Sequence, residues 1–440
     1  MKILFIHPNP DLSYNKPFSF FERLGGKIII CPRLAFPMLA SVTSEKHSIK
    51  LIDEKSNKIN FSTKCDLVCI SAMTNEITRG YQIADEFRRR GKKVVIGGCH
   101  VSALPEEGKK HADSIVIGEA EHIWPQVIED FENNNLKPIY FDKNPPDMKN
   151  FPIPKRNIVN GLIMINGVQS SRGCPNHCKY CYVGNSPHGR IYRKRTIEEV
   201  IEEIKKIKQK IIVFYDTSLT IDLNYTKNLC KALKKTNKKF IFLGNIDILN
   251  RNEELIKLSK EAGCIQWNIG FESVSQKSLD EVNKNSNTVE NYIEAVKKIH
   301  NYGMYVHGFF MFGFDHDSKK IFNDTMDFIR NAEIDSADFS TLTPFPGTPV
   351  FDEMEKQNRI YTKDWSKYHY QGNIVIKHNN FTVEDLNLEM KTLLKKYYSY
   401  PEIKYRLKNS LKRGFFNFHP FLFIVDNIFT KYYVMKNLDY

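Results

Sequence analysis

Three cysteines, Cys174, Cys178 and Cys181, follow one another with the spacing C-x3-C-x2-C. Thiolates are soft ligands, and a set spaced this closely suits an iron–sulfur cluster. Because the loop supplies only three ligands, one iron of a four-iron cubane would have no protein ligand and could chelate a small molecule. Gly173 and Pro175 fit the tight loop that wraps around a cluster. The motif therefore predicts a [4Fe-4S] cluster with one open iron.

A zinc site is the alternative for the same three cysteines. It requires a fourth Cys or His at matching spacing. His177 lies inside the loop and is a poor candidate for that ligand. The cluster is the better interpretation.

The six remaining cysteines form no comparable group. The total of nine is odd, which argues against a secreted disulfide framework and for a reducing cytoplasm. A second cluster in the N-terminal region is an alternative, but Cys65 and Cys69 lie on or beside one predicted strand. Buried structural thiols are therefore the better interpretation. The others are Cys31, Cys99, Cys230 and Cys264.

Short apolar runs alternate with helical patterns over residues 1–135. This alternation predicts an α/β domain with a doubly wound, flavodoxin-like parallel sheet, whose ligands bind beyond the carboxyl ends of the strands. The proline-rich stretch 136–160 is interpreted as a linker. The predicted strands are Lys2–His7, Ile49–Asp53, Asp66–Ser71, Lys93–Gly98 and Ser114–Gly118.

A second alternation over residues 161–367 predicts a partial (β/α)6 barrel of the TIM type, with its chemistry at the carboxyl ends of the strands. Residues 368–440 are predicted to form a helical C-terminal region. The predicted barrel strands are Leu162–Asn166, Ile211–Tyr215, Phe240–Gly244, Ile265–Gly270, Tyr305–Gly313 and Asp338–Thr343.

The cysteine motif resembles that of the radical S-adenosylmethionine superfamily, where an aromatic residue such as Tyr180 precedes the last cysteine. Asp216 matches the family's second-strand motif, although Thr217 replaces the second Asp that is usual there. Glu272 and Ser273 match the fourth-strand motif, whose Glu contacts the cofactor's ribose or amino group. The resemblance implies that the open iron binds S-adenosylmethionine and that reductive cleavage gives a 5′-deoxyadenosyl radical. The similar segments are Phe214–Thr220, Asn268–Ser273, Gly308–Phe314 and Thr343–Pro349.

The carboxylates of Asp216 and Glu272 also have simpler interpretations than cofactor binding. Asp216 at a strand end could be a helix cap, and Glu272 could be a surface carboxylate. We interpret both as residues that bind the cofactor.

The N-terminal region resembles the cobalamin-binding domain joined to many radical S-adenosylmethionine enzymes. Ser71 ends the third predicted strand, and Gly97 and Gly98 end the fourth. A serine hydroxyl can hydrogen-bond the lower nucleotide base, and paired glycines let a bulky tail approach the backbone. The loops Val101–Glu107 and Gly118–Glu121 also match. The resemblance implies a cobalamin cofactor.

The first loop departs from the pattern of cobalamin mutases. It reads His7-Pro-Asn-Pro-Asp11 and lacks their Asp-x-His-x-x-Gly sequence. The resemblance then implies cobalamin bound with its own base displaced and no histidine beneath the cobalt. His7 is interpreted as an ordinary strand-end histidine. A domain that has lost the cofactor is the alternative.

The resemblance implies an enzyme that transfers a methyl group to an unactivated carbon or phosphorus of a lipid or natural-product-like substrate. An electron donor of the flavodoxin or ferredoxin type would reduce its cluster. A radical cyclase or ring-remodelling enzyme with the same cofactors is one alternative. A non-catalytic iron–sulfur redox sensor is another.

The C-terminal tail is basic and then aromatic. Its basic residues precede the run Phe415–Val425, and we expect a helical cap that packs its aromatic side chains on the barrel. The alternative is a surface that contacts lipid headgroups, in a protein of the cytoplasm. No recognised nucleic-acid module accompanies the net charge of +13, so nucleic acid is not an expected partner. The basic residues are Lys404, Arg406, Lys408, Lys412 and Arg413.

Overall fold

The computed structural model describes residues 1–9, 28–369, 373–413 and 423–431. Two six-stranded sheets, each entirely parallel, organise this part of the chain. The first sheet belongs to the N-terminal region and the second to the predicted barrel. The α/β fold class predicted from the sequence is confirmed.

The first sheet has the order β3-β1-β4-β5-β6-β7. Neighbouring residues of β1 lie on opposite faces of the sheet. Ile3 and Phe5 pack in the hydrophobic core on one face, and Leu4 and Ile6 pack in the core on the other face. Such strands are apolar throughout because helices cover both faces of the sheet. The strands are β1 (Lys2–His7), β3 (Ser48–Asp53), β4 (Leu67–Ser71), β5 (Lys93–Gly97), β6 (Ser114–Ile117) and β7 (Ile139–Phe141).

The helices of this region follow the strands as a doubly wound fold requires. They are α1 (Ala35–Ser41), α2 (Ile77–Arg89), α3 (Cys99–Ala103), α4 (Pro105–His111) and α5 (Trp124–Glu132). Strand β7 lies within the stretch 136–160, which the sequence analysis interpreted as a linker. That stretch therefore adds an edge strand to the first sheet, and the domain boundaries stay predictions.

The second sheet runs in the order β16-β15-β14-β13-β12-β9, so consecutive strands are neighbours and the barrel is open between β9 and β16. Short strands β10 (Ser171–Arg172) and β11 (Arg193–Lys194) pair beside it. The barrel strands are β9 (Asn166–Val168), β12 (Ile211–Phe214), β13 (Lys239–Gly244), β14 (Cys264–Glu272), β15 (Tyr305–Phe312) and β16 (Ser336–Thr341).

The first predicted barrel strand needs correction. Leu162–Ile163 is strand β8, which pairs with β2 (Ile28–Ile29) in a separate two-stranded sheet, and the barrel begins at Asn166. A short apolar run predicts a strand but does not identify its partner. The bounds of the other five predicted strands lie within two residues of the observed bounds.

Helices cover the outer face of the barrel. Several begin at a side-chain cap; Thr196, for example, accepts a hydrogen bond from Glu199 N, and Glu199 reciprocates. The covering helices are α7 (Ile197–Lys206), α8 (Leu223–Leu233), α9 (Ile246–Arg251), α10 (Glu253–Ala262), α11 (Gln276–Glu281), α12 (Tyr292–Asn301) and α13 (Lys320–Asn331). The short helix α6 (Tyr182–Asn185) directly follows Cys181, and α14 (Pro349–Lys356) packs in a core shared with the first sheet.

The C-terminal region contains helices α15 (Val383–Tyr397) and α16 (Tyr400–Lys412). Arg406 stacks on the Tyr397 ring and donates to Asn427 Oδ1 at 2.8 Å, so this basic residue of the predicted tail is buried within the C-terminal region. Arg413 pairs with Asp335. Residues 415–422 of the predicted aromatic run lie outside the described residues. No helix in the described part of the chain is long and apolar enough to cross a membrane.

Candidate functional site

The segment after the cysteines supports the loop that carries them. Cys174 N donates to Gly189 O at 2.7 Å. Asn185 Nδ2 donates to the carbonyl oxygens of Cys178 and Cys181, at 3.1 and 2.7 Å. These bonds hold the backbone of all three cysteines in one loop at the carboxyl end of the barrel. The loop turns at Gly173, where φ is +88° and a Cβ would collide with a neighbouring carbonyl oxygen.

The three thiols and a lysine share one electrostatic environment. Burial raises the pKa of the Cys174 and Cys178 thiols, and the Lys284 ammonium acts in the opposite direction. Burial opposes the charged form of Lys284, but Glu272 and the thiols Cys178 and Cys181 raise its pKa above the usual range. A fixed ammonium beside these thiols favours thiolates, the form that binds iron. The donor set therefore fits an iron–sulfur cluster.

No three His, Cys, Asp or Glu side chains in the described part of the chain converge on one point as a single metal ion requires. A cubane places each cysteine on a different iron, so its three ligands need not converge.

Glu272 lies beside the cysteine loop in an unusual backbone conformation. Its φ is +64°, the left-handed region, at the last residue of β14. Lys284 Nζ lies 3.2 Å from its Oε1. The carboxylate also accepts from the Tyr180 hydroxyl, whose pKa burial and then Glu272 raise well above its usual value. Strain of this kind persists only where the surroundings fix it and is frequent at functional sites. The structure thus brings Tyr180 and Glu272 together.

The side chains of Ser273 and Asp216 are not exposed beside Tyr180 and Glu272. Ser273 is buried, and its Oγ accepts from Ser275 N at 3.1 Å. Asp216 is buried too, and its two oxygens accept from Ser170 N at 3.0 Å and Ser170 Oγ at 2.6 Å. Burial raises the pKa of the Asp216 carboxyl. Asp216 thereby fixes the backbone that leads into the cysteine loop.

A cavity of about 360 Å³ opens beyond the carboxyl ends of β4, β5 and β6. Its lining includes Ser71, Gly97 and Gly98, the three residues predicted from the sequence, together with Trp124 and Arg172. Ligands of doubly wound sheets bind at this edge. His7 is not in the lining; it is buried, and burial together with Arg33 lowers its pKa to about 4.

The two glycines at the cavity are not equivalent. A Cβ on Gly98, where φ is +117°, would collide with the Ala72 carbonyl oxygen, so Gly98 is required by the fold. A Cβ on Gly97 would meet only Val116, at 3.8 Å from its carbonyl oxygen and 3.9 Å from its Cβ. The space next to Gly97 is therefore open on its cavity side. A side chain at position 97 would fill this space.

This difference predicts that Gly97→Val blocks cobalamin binding without unfolding the protein. The isopropyl group would occupy the cavity, and we expect the Kd for hydroxocobalamin to rise by about a hundredfold or more, a loss of roughly 3 kcal/mol. Equilibrium dialysis with cobalamin absorbance measures it. Gly98→Ala is expected to lower the thermal unfolding midpoint instead. Wild-type affinity in Gly97→Val would show that the ligand does not enter this cavity.

A buried ion-pair network, the Arg172 network, connects the cavity to the cysteine loop. Arg172 precedes Cys174 by two positions, and its guanidinium lies 2.7 Å from Glu119 and 2.6 Å from Glu121. Arg193 on β11 also pairs with Glu119, at 2.5 Å. Both glutamates follow β6 of the first sheet, and both line the cavity with Arg172. The network therefore fixes the first sheet relative to the cysteine loop.

Comparison with known proteins agrees with this arrangement. The Radical SAM superfamily matches residues 168–329, and the B12 binding domain matches residues 32–128. The bacteriochlorophyllide d C-8(2)-methyltransferase of Chlorobaculum tepidum is 32% identical over 427 residues, 92% of each chain. The chain belongs to the cobalamin-binding radical S-adenosylmethionine enzymes. The family predicted from the sequence is confirmed.

Two further proteins mark the range of this family. The anaerobic magnesium-protoporphyrin IX monomethyl ester cyclase of Cereibacter sphaeroides is 24% identical over 417 residues, 84% of this chain and 66% of the cyclase. The solved structure of the cobalamin-dependent radical enzyme OxsB matches with a TM-score of 0.66 at 15% identity, over 95% of this chain and 72% of OxsB. The structural match to OxsB shows that the two proteins share a fold.

The cofactors of this radical S-adenosylmethionine enzyme are a [4Fe-4S] cluster, S-adenosylmethionine and cobalamin. The three-thiol loop fits the first, and the cavity with its open side at Gly97 fits the nucleotide tail of the last. When bound, they supply reductive cleavage of the sulfonium and a transferable methyl group. The residues of the chain would hold and orient these groups.

Several residues of the site were missed by reasoning from the sequence. Lys284 and Arg193 belong to no motif, and only their positions in the fold place them beside Glu272 and Glu119. Arg172 and Glu119 lay inside matched segments, but nothing in the sequence paired them. The only available signal for this pairing would have been the equal numbers of acidic and basic residues that a buried ion-pair network needs.

Proposed function

We propose that this enzyme transfers a methyl group to an unactivated carbon of a lipid or pigment-like substrate. The observation that carries the proposal is the position of Arg172. This residue lines the cavity of the first sheet and lies two residues from Cys174 in the cluster loop. A methyl donor held in the cavity would therefore face the substrate from the side of the cluster. The relationship to a bacteriochlorophyllide methyltransferase supports transfer to carbon.

In this proposal each site residue has a definite task. Cys174, Cys178 and Cys181 hold the cluster, while Glu272 and Tyr180 bind the polar groups of S-adenosylmethionine. Ser71 and Gly97 accommodate the cobalamin tail. Asp216 and Ser273 act as positioning residues, since their own hydrogen bonds are made within the protein.

The test is methyl transfer from S-adenosylmethionine that carries a trideuterated methyl group. The anaerobically reconstituted enzyme is incubated with a reductant and a lipid extract of cells that lack the gene. We expect one extract component to gain the intact labelled methyl group and Cys178→Ala to give none. Formation of 5′-deoxyadenosine with an unlabelled cyclised product would support the cyclase instead. No 5′-deoxyadenosine at all would leave only the sensor alternative.

We propose further that a reduced flavodoxin or ferredoxin supplies electrons in the cytoplasm and that helix α16 contacts anionic lipid. Lys404, Lys408 and Lys412 recur every four residues and are exposed, beside the exposed Leu411. Each contributes about 1 kcal/mol near an anionic surface. Arg406 donates to Asn427 and Arg413 pairs with Asp335, so neither is available to lipid. Three basic side chains remain for the lipid contact, rather than the five expected from the sequence.

This contact predicts that the protein sediments with phosphatidylserine vesicles at low salt and is released at high salt. Replacing the three lysines with glutamine should abolish sedimentation and leave the fold unchanged, because none of them has a buried partner. Neutral phosphatidylcholine vesicles are the control. Equal binding to both kinds of vesicle would contradict the electrostatic contact.

A further inference from the structure

The segment that follows helix α11 is bonded to the cysteine loop. Lys179 of that loop donates its backbone N–H to the Val282 carbonyl oxygen at 3.0 Å. Asn283 then adopts the left-handed conformation, with φ at +56°. Lys284 N donates back to Leu279 O at 2.9 Å, which closes the end of the helix. The backbone of Lys284 is therefore fixed beside the loop that carries the three thiols.

The side chain of Lys284 is held by an ion pair. Its Nζ lies 3.2 Å from Glu272 Oε1, and only 16% of the lysine side chain and 13% of the glutamate side chain are exposed. A Cβ on Gly270 would lie 2.5 Å from that carboxylate oxygen and 3.5 Å from Nζ. A methyl group at position 270 would therefore displace the carboxylate. The glycine leaves room for the pair, and the ammonium is kept in a mostly buried position.

The positive end of this ion pair acts on the thiols more strongly than the negative end. Burial raises the pKa of Cys178, Lys284 lowers it, and the opposing effect of Glu272 is smaller than that of the lysine. Burial is also the largest influence on the pKa of Cys174, and Lys284 again lowers it. Because electrostatic interactions weaken with distance, this order indicates that the ammonium is nearer to Cys178 than the carboxylate is. The pair therefore presents a positive potential to the thiols.

The Arg172 network also lies close to the cysteine loop, but its charges are balanced. Arg172 pairs with Glu119 and Glu121, and Arg193 pairs with Glu119. Two cations are thus matched by two carboxylates within one buried group. The Lys284 ammonium differs from these guanidinium groups because the thiols themselves, together with one carboxylate, raise its pKa. Its charge is therefore shared between Glu272 and the cluster ligands.

Reduction adds one negative charge to a cluster that its three thiolates already make anionic, so a fixed cation stabilises the reduced form more than the oxidised form. We propose that the Lys284 ammonium raises the reduction potential of the [4Fe-4S] cluster and is a positioning residue for electron entry. One electron passes from the reduced flavodoxin or ferredoxin to the oxidised cluster, and the donor is oxidised by that electron. No bond forms or breaks in this step, and Lys284 keeps its proton.

A redox titration of the reconstituted protein without S-adenosylmethionine tests the inference. The protein is equilibrated anaerobically with redox mediators, and electron paramagnetic resonance measures the reduced cluster at each potential. In Lys284→Met the ratio of reduced to oxidised cluster at a given potential should fall at least about tenfold, which lowers the midpoint by about 59 mV. Lys284→Arg keeps the charge and should stay within about threefold of the wild-type ratio.

A second variant should move the midpoint in the opposite direction. Glu272→Gln removes the carboxylate that offsets the ammonium, so we expect the ratio of reduced to oxidised cluster to rise about threefold or more. Lys277→Met is the matched control, because it removes the same charge from an exposed position on α11. Water and salt screen that charge, and the ratio should change by less than about twofold.

An unchanged midpoint in Lys284→Met, or an equal fall in Lys277→Met, would overturn the inference. If Lys284→Met holds no cluster, Glu272→Gln decides: a raised midpoint supports the inference, and an unchanged or lowered one overturns it. Loss of the cluster in both variants would assign the pair to cluster assembly instead. Because S-adenosylmethionine is absent, a role of Lys284 in binding that cofactor would not move the midpoints. Absence of the labelled methyl product would count against the proposed function and leave this result standing.

Discussion

We expect Cys178→Ala to abolish the cluster and all 5′-deoxyadenosine formation. Cys178 is the most buried of the three loop thiols, and its carbonyl oxygen is held by Asn185. With two thiolates left in the loop, a cubane would have two irons without protein ligands. We expect iron and sulfide to fall from about four of each per chain to background, with loss of the reduced-cluster paramagnetic resonance signal.

Cys230→Ala is the matched control for this experiment. Cys230 is buried in α8, and burial raises the pKa of its thiol to about 12, so it is an inert packing residue. Its variant should keep full iron content. A cluster that persists in Cys178→Ala, or zinc in its place, would contradict the assignment of the motif.

We expect that breaking the Arg172 network destabilises the protein by several kcal/mol. In Arg172→Met, Glu121 keeps only 9% of its side-chain surface exposed and has lost its partner. Removal of one member of a buried pair costs about 3–5 kcal/mol, because the remaining charge is desolvated and unpaired. We expect a clearly lower thermal unfolding midpoint and weakened binding of cobalamin, whose cavity the network lines.

A compensating variant separates the charge from the packing. In the double variant Arg172→Met/Glu121→Gln no unpaired carboxylate is left at position 121, while Glu119 still pairs with Arg193. More than half of the lost stability should return. If the double variant is no more stable than Arg172→Met, the loss comes from packing against Phe151 rather than from the unpaired charge.

The network also makes stability depend on pH. Burial raises the pKa of Glu119, but Arg193 and Arg172 outweigh it and hold the pKa below the ordinary value. A carboxyl whose folded-state pKa is lowered stabilises the fold above its unfolded value of about 4.3, and the stabilisation is lost as pH falls through the folded-state pKa. The difference in midpoint between wild type and Arg172→Met should therefore shrink in acid.

The sequence determined those features that depend on neighbouring residues. The spacing of Cys174, Cys178 and Cys181 is local, so the kind of cluster follows from it. Alternation of apolar runs with helical patterns is local as well, which is why ten of the predicted strands correspond to observed ones. Ser71, Gly97 and Gly98 lie together because the carboxyl ends of adjacent parallel strands meet at one edge.

Tertiary structure decided the contacts between segments that are distant in the chain. Arg172 and Glu119 are 53 residues apart, and Glu107 and Trp365 are 258 apart. No period or motif encodes such a pair, because it depends on how two sheets are placed against each other. The same holds for β8, whose partner β2 lies outside the barrel. Pairing and register are properties of the packed sheets, and these decide which polar groups share a site.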